Sequence, residues 1–212
     1  MLRFATLALL LNGCVPAYTP PKSSAPMLLA AHAEGSGQLW SDPKVSGGAD
    51  IGFERTGCCS VGMYVSTSRL SNDAAKAAAD PQRALDSEQS DDAKRALEVL
   101  DGGVELGVAL PAFENRFRLR ARAGLSGTPP SRPYLGRSGF STSVMFVTRF
   151  WEATAPAANK FSPDIDVLLG YSVVSLGREH TSAGRVTVDD GYSDHALMLG
   201  LRLGADYGLD LE

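Results

Sequence analysis

A chain of 212 residues is long enough for one domain, and its formal charge of −4 gives it no attraction to nucleic acid. It contains no run of about 18 apolar residues, which excludes a membrane-spanning helix. Any membrane crossing would have to be made by strands.

In chain order, Met1 and Leu2 precede one cation, Arg3, then an apolar run over 4–11 and the tetrapeptide Leu11-Asn12-Gly13-Cys14. A charged start, a short apolar stretch and a small residue before the cut describe a removed secretory signal. The box resembles the bacterial lipoprotein signal. That resemblance implies a thioether lipid on Cys14, a mature chain starting there and, because Val15 rather than Asp follows, sorting to the outer membrane. The rival readings are ordinary secretion, with Ala31-His32-Ala33 as the cleavage site, and a structural Cys14. Pro20-Pro21 and Ser23-Ser24 make 16–26 a Pro/Ser-rich tether.

A weak first strand falls between residues 27 and 40, and less regular ones at 45–54 and 59–68. Over 103–110, Val104, Leu106, Val108 and Leu110 face away from Gly103, Glu105, Gly107 and Ala109. Over 116–125, Phe117, Leu119, Ala121, Ala123 and Leu125 oppose Arg116, Arg118, Arg120, Arg122 and Gly124. A further irregular strand covers 139–150. In 164–175, Ile165, Val167, Leu169, Tyr171 and Val173 oppose Asp164, Asp166, Leu168, Gly170 and Ser172. The last, 196–211, alternates without a break, with Leu197, Leu199, Leu201, Leu203, Ala205, Tyr207, Leu209 and Leu211 set against glycine and charge.

Successive strand side chains point to opposite faces, so each regular strand has one apolar face and one of small or charged residues. A soluble sheet rarely carries repeated glycine on its solvent face, because glycine weakens strands. Apolar outside with small and polar inside is the dyad pattern of a transmembrane barrel, and eight strands is its smallest bacterial size. Short links at 55–58, 111–115 and 151–163 alternate with long ones at 69–102, 126–138 and 176–194, as turns and loops of such barrels do; 41–44 is the exception. Phe53, Phe117, Phe150, Trp151 and Tyr207 fall on the short-link side, where an interfacial aromatic girdle is expected.

The end of the chain resembles the outer-membrane insertion signal, with Arg202, Gly204, Tyr207 and Leu209 in the places of its polar, glycine, aromatic and apolar residues. That resemblance implies recognition by the barrel assembly machinery. The domain is thus similar to the small outer-membrane barrels: all-β, an antiparallel up-and-down barrel of about eight strands with outer-membrane lipids as partners. The expected organisation is signal peptide 1–13, lipid-anchored tether 14–26 and barrel 27–212.

An eight-stranded barrel leaves just enough interior for side chains. The row Arg116, Arg118, Arg120, Arg122 would be intolerable there unpaired, since an uncompensated buried charge costs several kcal/mol. Glu105, Asp50, Glu54, Asp164, Asp166, Asp206 and Asp210 stand on inward faces to neutralise it and Arg202. The result would be a plugged polar core. The row also fits a solvated basic face or a ligand-binding arginine row.

Residues 69–100 differ from the rest. Ala74, Ala75, Ala77, Ala78 and Ala79 favour helix, Pro81 breaks it, and 91–100 supports a second short helix. Asp80, Asp86, Glu88, Asp91 and Asp92 make this partly helical surface loop acidic. Cys58 and Cys59 can form a strained ring disulfide or remain two thiols. His32, His180 and His195 have no zinc spacing, and no other motif implies a metal or cofactor. Ser193-Asp194-His195 has triad residue types, but strand neighbours face opposite sides.

Three functional classes fit. The first is a non-catalytic outer-membrane (lipo)protein with an envelope structural or surface-interaction role. The second is a periplasmic lipid-anchored barrel with its apolar faces inside around a hydrophobic ligand, in the manner of lipocalins, although Gly37-Gln38-Leu39-Trp40 departs from that family's Gly-x-Trp spacing. The third is an enzyme: His180-Thr181-Ser182 is similar to the His-x-Ser element of the outer-membrane lipid A deacylases, with Ala183 where that family has Asn.

Overall fold

A computed structural model describes residues 25–38, 45–69, 98–110, 117–128, 137–182 and 185–210. The expected signal, Cys14, the tether, Arg116 and most of the expected helical stretches lie outside them; the second helix, expected over 91–100, is contradicted at its end, where 98–100 are already strand and paired on a neighbouring strand.

The described chain is eight strands: β1 (Met27–Gln38), β2 (Val45–Arg55), β3 (Cys59–Arg69), β4 (Glu98–Ala109), β5 (Phe117–Thr128), β6 (Arg137–Glu152), β7 (Phe161–Ser182) and β8 (Arg185–Leu209). Each pairs antiparallel with its sequence neighbours, and β1 closes on β8 from Met27↔Leu209 to Gln38↔Met198. Closure leaves no free edge, so every strand has a hydrogen-bonded neighbour on both sides. The cleavage site considered at Ala31-His32-Ala33 lies in the middle of β1, paired on one side with β2 and on the other with β8.

Alternation in sequence becomes inside and outside. On β8, Leu201 and Leu203 are each 55% exposed, whereas Arg202 between them is 1% exposed and Asp206 is fully buried. Val104, Leu106 and Val108 of β4, Leu119 and Leu125 of β5 and Ile51 and Phe53 of β2 are exposed in the same way. The apolar faces thus point away from the barrel axis all round the wall, which is opposite to the arrangement the lipocalin-like reading requires. Leu197 and Tyr207 stand ten residues apart on β8. That separation is about 33 Å of strand and, at a tilt of about 40°, about 25 Å of barrel height. Above it the outward positions turn polar, with His195 and Ser193 on β8 and Ser175 on β7 all exposed.

β6 departs from strict alternation. Its register with β7 shifts between Arg149 and Trp151. Such a bulge lets two residues face one partner position. As a result Phe150 and Trp151 both lie outside, 43% and 42% exposed, while Arg149 and Glu152 both lie inside. Phe161 meets Tyr207 in a tilted pair with ring centroids 4.7 Å apart, and Phe117 stacks on Phe146 at 5.2 Å. Together with Phe53 these rings form an aromatic rim at the end of the barrel where Thr56, Gly57 and Cys58 make the tight turn. Gly57 has φ 71° there, a conformation that favours glycine.

The segment expected as a long loop at 176–194 is instead mostly ladder. β7 and β8 stay paired as far as Ser182↔Arg185, with one irregularity between Leu176 and Arg178. Val186, Thr187 and Val188 are β-branched, and a paired ribbon satisfies backbone that a loop would leave to water. This hairpin continues well past the apolar band.

Candidate functional site

The interior is the candidate site, and its chemistry changes along the axis. At the turn end the charges are concentrated. Arg149, brought inside by β6, reaches Asp166 at 2.9 Å, Glu152 at 3.0 Å, Asp206 at 3.0 Å and Asp164 at 3.2 Å. Arg202 forks onto Asp50, with one contact at 3.0 Å, and onto Asp166 at 3.3 Å. It also donates to His32 Nδ1 at 2.8 Å, which assigns the imidazole proton to Nε2, facing Asp164 at 3.3 Å. Gly204 makes room for this histidine, because a Cβ there would collide with the His32 ring.

The next layer belongs to β5. Arg118 pairs with Glu54 at 2.6 Å, and Arg120 pairs closely with Glu105. Arg122 is bonded through Nε to Glu105 at 2.7 Å, to Glu34 through both terminal guanidinium nitrogens and to Asp50 at 3.4 Å, and lies 4.8 Å from the centre of the Tyr64 ring. Arg120 and Arg122 are buried and Arg118 half-buried, and all three are matched with acids, which is neither a solvated basic face nor a row with free guanidinium groups for a ligand.

Below the charges the turn end is shut. Segment 153–160 folds under the barrel. The amide of Asn159 donates to the Gly208 carbonyl at 2.9 Å, and that of Gly208 to the Lys160 carbonyl at 3.1 Å. A Cβ at Gly208 would run into the Ala157 carbonyl, so only glycine allows this close approach. Ala25 is buried against the same floor, and its carbonyl accepts from Thr56 Oγ1 at 2.6 Å.

Toward the other end the wall turns to hydroxyls. A cavity of about 60 Å³ is lined on one part of its wall by Ser36, Ser46, Ser66, Ser68, Ser141, Ser143 and Ser172 and on another by Met145, Leu168, Val174, Ala196 and Met198, with Tyr64, Arg122 and Glu34 at its base and Asp101 and Asp194 on its sides. Ser36 and Ser46 hydroxyls bond across β1 and β2 at 2.5 Å, and Tyr64 Oη to Ser141 Oγ at 3.1 Å.

Of the residues singled out in the sequence, Arg118, Arg120, Arg122, Arg202, Glu105, Asp50, Glu54, Asp164, Asp166 and Asp206 come together inside the barrel. Asp210 does not: it is exposed at the strand end and accepts a contact from Asn159 Nδ2 at 3.5 Å, because β8 ends one residue before it. Cys58 and Cys59 are two exposed thiols with sulfurs 3.0 Å apart, so the ring disulfide is not formed. Ser193 and His195 face outward, His195 Nδ1 lying 2.6 Å from Tyr171 Oη, while Asp194 lines the inner cavity, so no triad assembles. The side chains of His180 and Ser182 are outside the described ones.

Sequence reasoning missed His32, Arg149, Glu152, Glu34 and Asp101. The strands of His32, Glu34 and Arg149 lack clean alternation, Asp101 fell within the link expected at 69–102 whereas β4 starts at Glu98, and Glu152 faces inward only through the bulge. Sequence reasoning placed Leu168 on the inward face but missed the rest of the apolar interior: Met145 and Val147 pack with Leu168 inside β6 and β7 with Met198 against them, and Val99, Val174 and Leu176 form a second cluster nearer the loop end. His32, Asp164 and Asp166 could offer metal-ligand atoms within 4.8 Å of one another. Both Asp166 oxygens are already taken by Arg149 and Arg202, so guanidinium supplies the positive charge there.

No family model matches the chain, and no curated protein does. Among solved structures it is similar to the solid-state NMR structure of outer membrane protein AlkL in DMPC lipid bilayers, at 12% identity and TM-score 0.37, covering 92% of this chain and 95% of that one.

Proposed function

We propose that this chain is an integral outer-membrane β-barrel of the bacterial envelope, non-catalytic, which anchors the β7–β8 hairpin and the acidic 69–100 segment at the surface for structural or recognition roles. The observation that carries the reading is the outward apolar band of about 25 Å, the height of a bilayer's hydrocarbon-facing zone on such barrels, rimmed by Phe53, Phe150, Trp151 and Phe161. Soluble monomers rarely expose contiguous apolar patches beyond a few hundred Å². Here the exposed leucines and valines encircle the molecule while the charges are inside. Closure also leaves no unpaired edge, which a lipid environment would penalise.

The sealed turn end supports an anchor rather than a conduit, since solute entering from the loop end meets the Arg149 and Arg202 clusters. Partners in this reading are outer-membrane lipids, the assembly machinery during biogenesis and a surface ligand for the acidic segment. Lipidation of Cys14 would add a second, independent attachment.

The test is gel mobility of detergent-extracted protein with and without boiling. A compact band that slows after boiling is expected, together with resistance to alkaline extraction from membranes. Solubility of a Cys14→Ala protein in the absence of detergent would overturn the reading.

A further inference from the structure

We propose that the hydroxyl-lined cup at the loop end binds a compact monovalent cation, an alkali ion or a primary ammonium group, at Asp101. Asp101 faces the barrel interior from β4, between Ser66 of β3 and Ser126 of β5 in register. It is 6% exposed and lines the cavity, and its Oδ1 has no hydrogen-bond partner among the described residues. The buried Ser126 hydroxyl stands beside the same carboxylate.

Every other buried carboxylate of the interior faces a guanidinium among the described residues; Asp101 faces none. Arg122, which lines the same cavity, is committed to Glu34, Glu105 and Asp50. Tyr64 holds Arg122 against its ring and turns its hydroxyl to Ser141, whose own hydroxyl flanks Asp101. Of the carboxylates that line the cavity, Glu34 is paired with Arg122 and Asp194 stands on the β8 side, while Asp101, flanked by serine hydroxyls, has no counter-charge among the described residues, an arrangement that a cation or a proton would relieve.

The chemistry of the wall selects the class. Carboxylate and hydroxyl oxygens are hard ligands suited to alkali ions and to N–H donors, whereas divalent ions draw several carboxylates to one point. A cavity of about 60 Å³ holds a few waters or one partly hydrated small ion. It is far below the roughly 300 Å³ of a pocket for drug-sized organic ligands.

The full chain in detergent would be melted at constant ionic strength in potassium chloride, sodium chloride, methylammonium chloride or tetramethylammonium chloride, following loss of the compact gel band. Binding to the folded state alone raises the midpoint. At least one small cation should raise it by roughly 2 to 4 °C over the bulky tetramethylammonium, and Asp101→Asn should erase the difference. Whether alkali ions or methylammonium give the larger shift separates the two sources. Equal midpoints in all four salts, as a protonated Asp101 would give, overturn the proposal, as does a difference that survives Asp101→Asn. Should that variant not fold, ²³Na line broadening by the wild-type protein decides: reversal by potassium or methylammonium but not tetramethylammonium supports the site, and no broadening removes it.

Discussion

The two halves of the barrel interior use the same wall for opposite ends. At the turn end, Arg149 and Arg202 are shared among Asp50, Glu152, Asp164, Asp166 and Asp206, and segment 153–160 closes the floor. At the loop end, small serines leave a cavity of about 60 Å³ open beside Asp101. Long charged side chains from facing strands meet across a narrow lumen, whereas serine stops short of the axis. The difference teaches that in a barrel of this width, side-chain length decides where the interior is plug and where it is cup.

The comparison is broken most severely at Arg149. Arg149→Met leaves its acids with too little positive charge, and losing one partner of a buried pair costs about 3–5 kcal/mol. A fall of that size in the urea midpoint of the detergent-folded protein, or failure to form the compact band, is expected. Next comes the outer wall: Leu201→Arg should cost about 2–4 kcal/mol near the membrane midplane. Its loss should be larger in lipid vesicles than in detergent, which separates a lipid-facing position from a merely exposed one.

Gly208→Ala forces segment 153–160 to move away from the strand, and crowding of this kind costs about 1–3 kcal/mol. Paired measurement of stability and of solute permeation in vesicles tests whether that segment seals the floor. The smallest effect should fall in the cup. Ser46→Ala removes one partly buried hydroxyl contact to Ser36 and should change stability by no more than about 0.5 kcal/mol. A large loss there would show that the loop-end half is as tightly built as the turn-end half.

Much of the wall was legible in the sequence. Leu201 and Arg202 differ by one position and face opposite sides, and the eight-residue row from Phe117 to Gly124 reads inside and outside without error for Leu119, Arg120 and Arg122. The arginine row also announced its need for acids, and Glu105 stands opposite Arg122 in register. Legibility stopped where the period of two stopped. Alternation carried past Phe150 would send Trp151 inward and Glu152 outward, and the bulge reverses both. The continuation of β7 and β8 through 176–182 and 185–194 was hidden because the polar residues there resemble a loop. Asp210 was counted inward because its parity is right, although the ladder ends at Leu209.

Local residue order by itself determined that this protein has strands, which face of each is apolar and that charges would be gathered opposite the apolar faces, because side-chain alternation is a property of one extended chain. Which charges meet was decided only by closure. His32 of β1, Asp50 of β2, Asp164 of β7 and Arg202 of β8 become neighbours because β1 pairs with β8 and the wall wraps round a narrow interior. The same closure left Asp101 without a guanidinium among the described residues while giving Arg149 several acids, since partners across a lumen depend on tilt, register and side-chain length together.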